Sequence, residues 1–260
     1  SLCIVTGASK GFGRAVAKAC AKAIVDMDLV LLSRASMDGT LQDVRPCLSP
    51  GCRATGFRVD LAQSDGLLPR LQGICREYDS SQYRRVLLIH NAGSLGALLP
   101  LMDMDPEALV PELQLNVVSF LTLTRAVLHH FRPGPHCQVF VVNVSSLLAL
   151  QPMASLGPYC ITKAARDMAT AVLAKEHPQH ARFLSYAPGP MPTAMFDDIR
   201  NNVRHEGTKS AFLQMDKSSL VDPEMSAQRL VQHLTTDTFT SGAHIDFYDP
   251  HPYVNPTSKL

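Results

Sequence analysis

Short apolar runs that alternate with longer helical patterns constrain the fold of this chain more than any other feature of its sequence. Six runs are apolar on both faces, which is typical of strands buried in a parallel sheet. They lie at Leu2–Thr6, Asp28–Ser33, Gly56–Asp60, Val86–His90, Gln138–Val144 and Ala181–Ala187, and a final strand is expected at Ala243–Phe247. Helical patterns lie near 12–25, 62–78, 106–131 and 157–176. This alternation predicts right-handed crossovers and an α/β, Rossmann-like, doubly wound parallel sheet flanked by helices.

Length and composition predict one large domain. The chain has 260 residues, of which 46% are hydrophobic, enough to bury a sizeable core. No interdomain linker interrupts the pattern, so residues 1–260 are expected to form a single domain. The formal net charge is +1, from 24 basic and 23 acidic side chains, which argues against a nucleic-acid partner. No stretch is apolar and long enough to span a membrane, so no membrane partner is expected either.

The seven cysteines predict reduced thiols rather than disulfides or a metal site. Their number is odd, no C-x-x-C pair occurs, and several lie in apolar runs. Cys47 and Cys52 lack the second pair of ligands that a zinc site needs. We therefore expect mostly buried thiols in a reducing compartment and no bound metal.

One polar segment breaks the alternation after the sixth strand. Residues 195–224 are rich in polar side chains and follow a strand end where an open α/β sheet binds its ligand. Their length and position favour a mobile lid over a substrate, and a plain surface excursion is the alternative. In the tail at 250–260, the segment Pro250–Pro256 is rich in proline and polar residues, so it is expected to stay extended and accessible.

Three glycines after the first strand point to a bound dinucleotide. Gly7, Gly11 and Gly13 have the spacing G-x-x-x-G-x-G and open the first helix. Glycine lets the backbone turn tightly and approach a pyrophosphate, and the N–H groups at the helix start face the anion. When the motif is taken alone, a glycine-rich turn that binds nothing is the alternative.

The end of the second strand indicates which dinucleotide is bound. A site for NADH usually has an acidic residue there, for the ribose 2′-hydroxyl. This strand ends in Ser33-Arg34 with no acid, and Lys10 adds a second cation in the glycine turn. Arg34 can form planar, charge-assisted bonds to a 2′-phosphate, so the two cations favour NADPH. The alternative is that both cations are only solvated.

Two further strand ends carry side chains suited to the same cofactor. Asp60, at the end of the third predicted strand, can accept a hydrogen bond from the adenine amino group. Asn91-Ala92-Gly93 ends the fourth strand, where small residues let the cofactor ribose lie close. Asn91 alone could equally stabilise a turn.

A tyrosine and a lysine one helical turn apart form the chemical end of the predicted site. Tyr159 and Lys163 share one face of the helix at 157–176. Carbonyl reduction needs a hydride and a proton, and a phenol with a pKa of ~10 exchanges protons poorly near neutrality. A lysine ammonium about 5 Å away is expected to favour the phenolate by roughly 3 kcal/mol, or ~2 pK units.

Two more polar residues complete the predicted catalytic set. Ser146, after the fifth strand, can hold a substrate oxygen by a hydrogen bond while charge builds on it. Asn116, on a preceding helix, could hold a water that links the lysine to solvent. A tyrosine with a lysine one turn away is ordinary helix structure when it stands alone. The order of the whole set along the chain is what favours catalysis.

The motifs resemble those of the short-chain dehydrogenase/reductase family over nearly the whole chain. The residues that carry the resemblance are Thr6–Gly13, Asn91–Gly93, Ser146, Tyr159, Lys163 and Pro188-Gly189. The resemblance implies that Tyr159 donates the proton, that Lys163 holds the nicotinamide ribose, and that residues 191–196 close over the nicotinamide. The further cofactor positions that it implies are Ser9, Phe12, Leu61, Met191, Thr193 and Met195.

A narrower resemblance links the chain to the members of this family that reduce pterins. The stretches that carry it are His90–Gly96, Leu150–Pro152, Lys163–Met168, Tyr186–Pro190 and Ser241–Asp249. It implies NADPH-dependent reduction of side-chain carbonyls on pterins, such as sepiapterin and 6-pyruvoyl-tetrahydropterin, late in tetrahydrobiopterin synthesis. It also implies a homodimer joined by the helices around 112–131 and 157–176.

The narrower resemblance also implies a set of substrate contacts. These are Ser145, Ser146, Tyr159, Gly189 and Asp246. A carboxylate at Asp246 is physically reasonable, because it can accept two parallel hydrogen bonds from the 2-amino group and the adjacent ring N–H of a pterin. A structural aspartate that caps the last strand is the alternative.

Two other functions remain open from the sequence. A general carbonyl or steroid-type reductase would keep the catalytic set and lose Asp246 as a substrate anchor. A non-catalytic NADPH-binding sensor would have a damaged Ser/Tyr/Lys set, and here the set is intact. The expected location is the cytoplasm. The C-terminal Ser258-Lys259-Leu260 matches a peroxisomal address, which makes the peroxisome the alternative.

Overall fold

One seven-stranded parallel sheet forms the centre of the protein. The computed structural model describes residues 1–250, apart from the side chain of Lys217. The strands are β1 (Leu2–Thr6), β2 (Asp28–Ser33), β3 (Ala54–Arg58), β4 (Arg85–His90), β5 (Gln138–Val144), β6 (Ala181–Ala187) and β7 (His244–Asp246). They lie in the order β3-β2-β1-β4-β5-β6-β7, and every neighbouring pair is parallel. The doubly wound α/β sheet predicted from the alternating pattern is confirmed.

Helices cover both faces of this sheet. They are α1 (Gly11–Ala23), α2 (Asp38–Val44), α3 (Leu67–Arg76), α4 (Leu109–Leu113), α5 (Ser119–Phe131), α6 (Gly157–Glu176), α7 (Ala194–Asn202), α8 (Glu206–Gln214) and α9 (Pro223–Thr236). Helices α1, α2 and α9 pack on the face that carries Cys3 and Val5. Helices α3, α5 and the second half of α6 pack on the face that carries Leu2 and Ile4. Alternate residues of a strand point to opposite faces, so the central strands must be apolar throughout.

The order of the strands opens a crevice at their carboxyl ends. Strands β2 and β3 lie on one side of β1, and strands β4 to β7 lie on its other side. Open α/β sheets bind ligands at such a switch point. The carboxyl ends of β1, β4 and β5 lead directly into Gly7, Asn91 and Ser145. The predicted site residues therefore meet at this edge.

Three sequence predictions were wrong in detail. Strand β3 lies at 54–58 rather than 56–60, because the apolar Val59 and Leu61 are buried beyond its end rather than within it. The helix predicted at 106–131 is divided into α4, a five-residue π-turn and α5. Helix α3 begins only at residue 67, after Gly66 with a φ of 70°.

Helices α7 and α8 occupy most of the segment predicted as a lid. Their side chains Phe196 and Phe212, with ring centroids 5.4 Å apart, belong to an apolar cluster that also contains Leu95 and Tyr159. The segment therefore covers the N-terminal end of α6. Its opening and closing stay a prediction.

All seven cysteines are free, and four of them are buried. Burial raises the pKa of Cys75 to about 12, so that thiol stays protonated.

Within residues 1–250, no helix is long and apolar enough to cross a membrane, and no group of three or more potential ligands could hold a metal. The tripeptide Ser258–Leu260 lies outside the described residues.

Candidate active site

The turn between β1 and α1 presents an uncapped helix start to the crevice. Lys10, the N-cap residue of α1, forms no side-chain hydrogen bond to the first turn. The first N–H groups of a helix have no partner within it, and they attract anions. Gly7 and Gly11 have φ angles of 65° and 56°, in the left-handed region that favours glycine. The turn therefore has the backbone geometry and the donors that a pyrophosphate needs.

Asn91 and Thr6 fix this turn against the end of β4. The Asn91 amide donates to the carbonyls of Thr6 and Gly7, at 3.1 Å each. The Thr6 hydroxyl in turn accepts the N–H groups of Asn91 and Ala92, at 3.0 and 2.9 Å. A Cβ on Gly13 would lie 2.4 Å from the Asn91 amide nitrogen, so glycine is required there. The Asn91 side chain, predicted to bind the cofactor, thus already has two protein partners.

A threonine on α2 supports the same turn, and the sequence analysis did not identify it. Thr40 is fully buried, and its hydroxyl donates to the carbonyl of Ala8 at 2.8 Å. Arg14 of α1 pairs with Asp43 of α2 at 2.8 Å, which joins the two helices. Through Thr40 and Asp43, the region 35–55 therefore shapes the glycine turn from behind.

The cations predicted to select the cofactor lie at the open rim of the crevice. Arg34 and Lys10 are exposed, and 67% of the Arg34 side chain is accessible. The Nε of Arg34 lies 4.0 Å from Oδ1 of Asp60, the acid expected to meet the adenine. The same Oδ1 accepts the N–H of Ala62 at 3.0 Å, whereas the neighbouring Leu61 is buried. The ends of β2 and β3 thus bring Arg34 and Asp60 together in contact with solvent.

Tyr159 and Lys163 lie on the first two turns of α6, close to the end of β5. Tyr159 is 9% exposed and Lys163 is 4% exposed. The Lys163 Nζ lies 5.4 Å from the centre of the Tyr159 ring, and it donates to the carbonyl of Val144 at 2.6 Å. Ser146, two residues further along, forms a hydrogen bond with Tyr159. The structure therefore brings the predicted serine, tyrosine and lysine together.

Burial opposes the charged forms that the sequence predicted for Tyr159 and Lys163. It raises the pKa of Tyr159, and the hydrogen bond with Ser146 opposes this increase only in part. Burial also holds the pKa of Lys163 well below its usual value, and the nearby Arg166 cation adds to that effect. A lysine whose charged form is disfavoured stabilises a phenolate less than a fully charged one. Burial therefore opposes the effect expected of Lys163 on Tyr159, and that effect stays a prediction.

Asn116 lies in the π-turn between α4 and α5, and π-turns are frequent at functional sites. Its Oδ1 accepts the N–H of Ser94 at 3.0 Å, and its amide donates to the Ser94 carbonyl and the Thr162 hydroxyl, at 3.1 and 3.2 Å. A Cβ on Gly93 would lie 3.1 Å from Asn116 Oδ1 and 4.0 Å from Lys163 Nζ. Asn116 therefore joins the chain after β4 to α6 beside the lysine. The water expected on Asn116 stays a prediction.

Arg166, one turn after Lys163, is the main site residue that the sequence analysis missed. Its guanidinium donates to the carbonyls of His90 and Ala92, at 2.5 and 3.2 Å, and lies over the ring of Phe120. Burial lowers its pKa to about 10, so it stays a cation at neutral pH. The Arg166 cation also favours the ionised form of Tyr159, although burial outweighs this effect.

Asp167, the next residue of α6, joins three elements behind the catalytic set. Its Oδ1 accepts the hydroxyl of Ser145 at 2.6 Å and the amide of Asn143 at 2.8 Å. Its Oδ2 pairs with Nδ1 of His244, on β7, at 2.6 Å. Ser145 is buried with its hydroxyl turned to this carboxylate. Contact of Ser145 with a substrate therefore stays a prediction.

The predicted substrate end lies where β6 and β7 finish side by side. Ala187 of β6 is in register with Asp246 of β7. Gly189 has a φ of 80°, and a Cβ on it would lie 2.7 Å from the side chain of Val221. The Asp246 carboxylate is half-buried and accepts the N–H of Tyr248 at 2.9 Å. It therefore supports a local turn, and its contact with a substrate stays a prediction.

Residues 191–196, expected to close over a nicotinamide, lie beside the glycine turn. A Cβ on Gly11 would lie 3.7 Å from the methyl group of Thr193, which caps α7. Met191 is buried in the main core, and Met195 packs against the cluster under α7 and α8. This stretch therefore connects the glycine turn with the predicted lid.

Comparison with known proteins decides the family. The family model described as short chain dehydrogenase matches residues 1–204. This chain belongs to the short-chain dehydrogenase family. It is 40% identical to sepiapterin reductase from Meriones unguiculatus, over 96% of this chain and 97% of that protein. It is 39% identical to sepiapterin reductase from Bos taurus, over 96% and 95%. A solved short chain dehydrogenase from Escherichia coli CFT073 complexed with NADPH matches with a TM-score of 0.73 and 26% identity, over 94% of this chain and 95% of that one.

The short-chain dehydrogenase assignment makes the protein an oxidoreductase that uses a nicotinamide cofactor. The residues present fit such a group. The uncapped start of α1 and the left-handed glycines suit the pyrophosphate of the cofactor. The buried Lys163 and Tyr159 lie close to the end of β5, two strands away from β1 in the sheet. The family resemblance inferred from the motifs is confirmed. The individual roles of the site residues stay predictions.

Proposed function

We propose that this protein reduces the side-chain carbonyl of a pterin, such as sepiapterin, with a hydride from NADPH. The observation that carries the proposal is the placement of two groups at one edge of the sheet. Ser146, Tyr159 and Lys163 lie at the end of β5, and Asp246 ends β7, two strands along. The similarity to two sepiapterin reductases over 96% of the chain supports the same substrate class.

The residues around Tyr159 suit proton donation to a carbonyl that is being reduced. NADPH, when bound, supplies the hydride. Because burial raises its pKa, Tyr159 keeps its proton at neutral pH and can give it to the alkoxide that forms on the substrate. The Ser146 hydroxyl donates a hydrogen bond to the same oxygen, and the Arg166 cation stabilises the phenolate that remains on Tyr159. Lys163 holds the nicotinamide ribose.

Asp246 is proposed to anchor the pterin ring. A pterin presents its 2-amino group and an adjacent ring N–H on one edge, and a carboxylate accepts both in parallel. Asp246 ends β7 and Tyr159 lies beyond β5, so both belong to the same edge of the sheet, two strands apart. A simple diketone has no such pair of donors, so it gains nothing from Asp246.

Oxidation of NADPH in the presence of sepiapterin, a simple diketone or an aldehyde tests the proposal. We expect the highest kcat/KM for sepiapterin, with a preference that falls in Asp246→Asn, since an amide presents a donor where the ring also donates. Equal kcat/KM for the three substrates would indicate a general carbonyl reductase. Binding of NADPH without oxidation by any of them would indicate a non-catalytic sensor.

We also propose a homodimer formed through α5 and α6. Exposed apolar side chains follow the outer face of both helices, and such a surface is typical of an interface. They are Leu121 on α5 and Ile161, Met168 and Val172 on α6, together with Val118 directly before α5. Met168, which is 66% exposed, is the most accessible of the five. The molar mass from light scattering should be that of a dimer, and Met168→Glu should lower it to that of a monomer.

The proposed location is the cytoplasm, and the peroxisome remains the alternative. The alternative depends on Ser258-Lys259-Leu260 acting as a receptor-read address. A fluorescent protein fused to the N-terminus, with and without Leu260, separates the two. Diffuse signal from both fusions supports the cytoplasm, and punctate signal that is lost on deletion supports the peroxisome.

A further inference from the structure

The ion pair between Asp167 and His244 has no part in the proton transfer proposed above, although it lies directly behind the catalytic residues. The two side chains are 13% and 17% exposed, which makes this the least exposed ion pair among residues 1–250. The Asp167 Oδ2 and the His244 Nδ1 are 2.6 Å apart. An ion pair that is this well shielded from water is screened little by salt and holds its geometry better than a surface pair.

Both partners favour their charged forms. Burial opposes the charge on His244, but the hydrogen bond and the negative charge of Asp167 outweigh it and raise the pKa of the imidazole. Burial also opposes the charge on Asp167, but hydrogen bonds from His244 and Ser145 hold the pKa of the carboxyl below its usual range. The other charged groups that act on the pair are Asp246 at the end of β7, Asp249 beyond it, and Lys163 and Arg166 on α6. Strands β5 and β6 contribute the uncharged Asn143, Ser145 and Ser185.

Strand β7 depends on this pair more than a longer strand would. It has three residues, lies at the edge of the sheet and pairs only with β6. Its first residue is His244, and its last is Asp246. Residues two apart on a strand point to the same face, so these two side chains leave β7 on one side. Ile245 and Phe247 pack on the other side, against the core beneath α1 and α9.

We propose that the Asp167–His244 pair is a positioning pair that holds β7 against α6 and so sets the position of the Asp246 carboxylate for the pterin. The pair thereby lowers the KM for pterins and leaves the proton transfer at Tyr159 unchanged. The proposal deepens the proposed function and rests on it, since Asp246 receives its substrate role there. Asp167 can do this because its other oxygen is fixed by Ser145 and Asn143, at the end of β5.

Substitutions of His244 separate the charge from the hydrogen bond. His244→Asn keeps a donor near the position of Nδ1 and removes the charge, whereas His244→Leu removes both. We expect His244→Leu to raise the KM for sepiapterin about 10-fold, and His244→Asn to raise it a few-fold. The kcat, the affinity for NADPH and the KM for a small diketone should stay within about two-fold. His136→Leu is the matched control, because it makes the same change at an exposed histidine outside the crevice.

A double substitution tests whether His244 acts through Asp246. In the Asp246→Asn background the anchor is already lost, so His244→Leu should add nothing further to the KM for sepiapterin. Additive increases in KM would overturn the proposal. It would also be overturned if His244→Leu lowered kcat, or if it raised the KM for the diketone as much as that for sepiapterin.

Hydrogen exchange separates a failure of this proposal from a failure of the proposed function, because it needs no substrate. The N–H of Phe247 donates to the carbonyl of Ala187 at 2.8 Å, directly after β7. We expect it to exchange about 10-fold faster in His244→Leu than in the wild type, and at the wild-type rate in His136→Leu. Unchanged exchange in His244→Leu would overturn the positioning of β7 whatever the substrate. Faster exchange in a protein that does not reduce sepiapterin would support the positioning and overturn the pterin assignment.

Discussion

The basic side chains are buried at one end of the crevice and exposed to solvent at the other. At the chemical end, Arg166 is 1% exposed and Lys163 is 4% exposed. At the cofactor rim, 67% of the Arg34 side chain is accessible and Lys10 is exposed as well. Both ends were predicted from the same kind of signal, a basic residue next to a strand end or on a helix face. Burial is what makes them act differently.

A buried charge and an exposed charge contribute to function by different routes. Inside the protein the effective dielectric is low, so Arg166 shifts the pKa values of Tyr159 and Lys163. In water the charge of Arg34 is screened over about 10 Å, so it acts only on a group that comes close to it. Substitutions at the chemical end should therefore lower rate and stability, and those at the rim should change cofactor choice alone.

The largest effect is expected for Tyr159→Phe, which removes the proton and keeps the packing of the ring. Proton transfer by one positioned group is typically worth ~10²–10⁴-fold, so kcat should fall by at least ~10²-fold. The affinity for NADPH should stay within about two-fold. Steady-state turnover with sepiapterin and fluorescence titration of NADPH check both parts. Unchanged turnover would remove Tyr159 from the mechanism.

Arg166→Met should give the largest loss of stability. It leaves the buried carbonyl of His90 and the half-buried carbonyl of Ala92 without this donor, at about 1–3 kcal/mol each, so the free energy of unfolding should fall by about 3 kcal/mol. Lys175→Met removes an exposed cation from the same helix and should change it by less than about 0.5 kcal/mol. Urea denaturation measures both. Equal small losses would show that burial does not distinguish the two cations.

Arg34→Ala should change the preference between cofactors. One charge-assisted bond is worth roughly 1.5–3 kcal/mol, so the Kd for NADPH should rise about 10-fold or more. The Kd for NADH, which lacks the 2′-phosphate, should change little. Added salt should weaken NADPH binding in the wild type, because the rim is open to solvent. Arg70→Ala, an exposed substitution on α3, is the control, and an equal loss for both cofactors in Arg34→Ala would contradict the role.

The smallest effect is expected for substitution of His244, whose side chain is more exposed than that of Arg166 and less exposed than that of Arg34. Burial opposes its charge, but Asp167 outweighs burial and raises the pKa of the imidazole. A raised pKa stabilises the fold fully below the ordinary value of about 6.5, and this contribution is lost as the pH rises through the folded-state pKa. Wild type should exceed His244→Asn in free energy of unfolding by about 1 kcal/mol near pH 6 and by less near pH 9. A constant difference across urea titrations at these pH values would contradict the ionised pair.

The sheet was predictable because its signal is local. Strands β1, β2, β5 and β6 begin and end at the predicted residues, since an apolar run buried on both faces is visible in the sequence itself. The π-turn around Asn116 was not predicted, because a shift of backbone hydrogen bonds leaves the apolar pattern of 106–131 almost unchanged. Helix α2 was hidden by the prolines and cysteines of region 35–55, although its Thr40 supports the glycine turn.

The sequence predicted which residues lie in the site better than it predicted their charges. Motif spacing was enough to bring Tyr159 and Lys163 together on one helix face. It could not show that both are buried, and burial opposes the charged form of each. Arg166 gave one available signal, a basic residue one turn beyond Lys163 on the same helix face. The partnership of Asp167 with His244 gave none, since 77 residues separate them.

That separation also sets a delay during synthesis of the chain. At about 5–20 residues per second, roughly 4–15 s pass between the emergence of Asp167 and that of His244, 77 residues later. Ser145 and Asn143 are made before Asp167, so its carboxylate can bond to them at once. The half of the molecule that holds Ser146, Tyr159 and Lys163 can therefore assemble on the ribosome before β7 is made. With Asp246 in its proposed role, docking of β7 is the step at which the newly made protein first becomes selective.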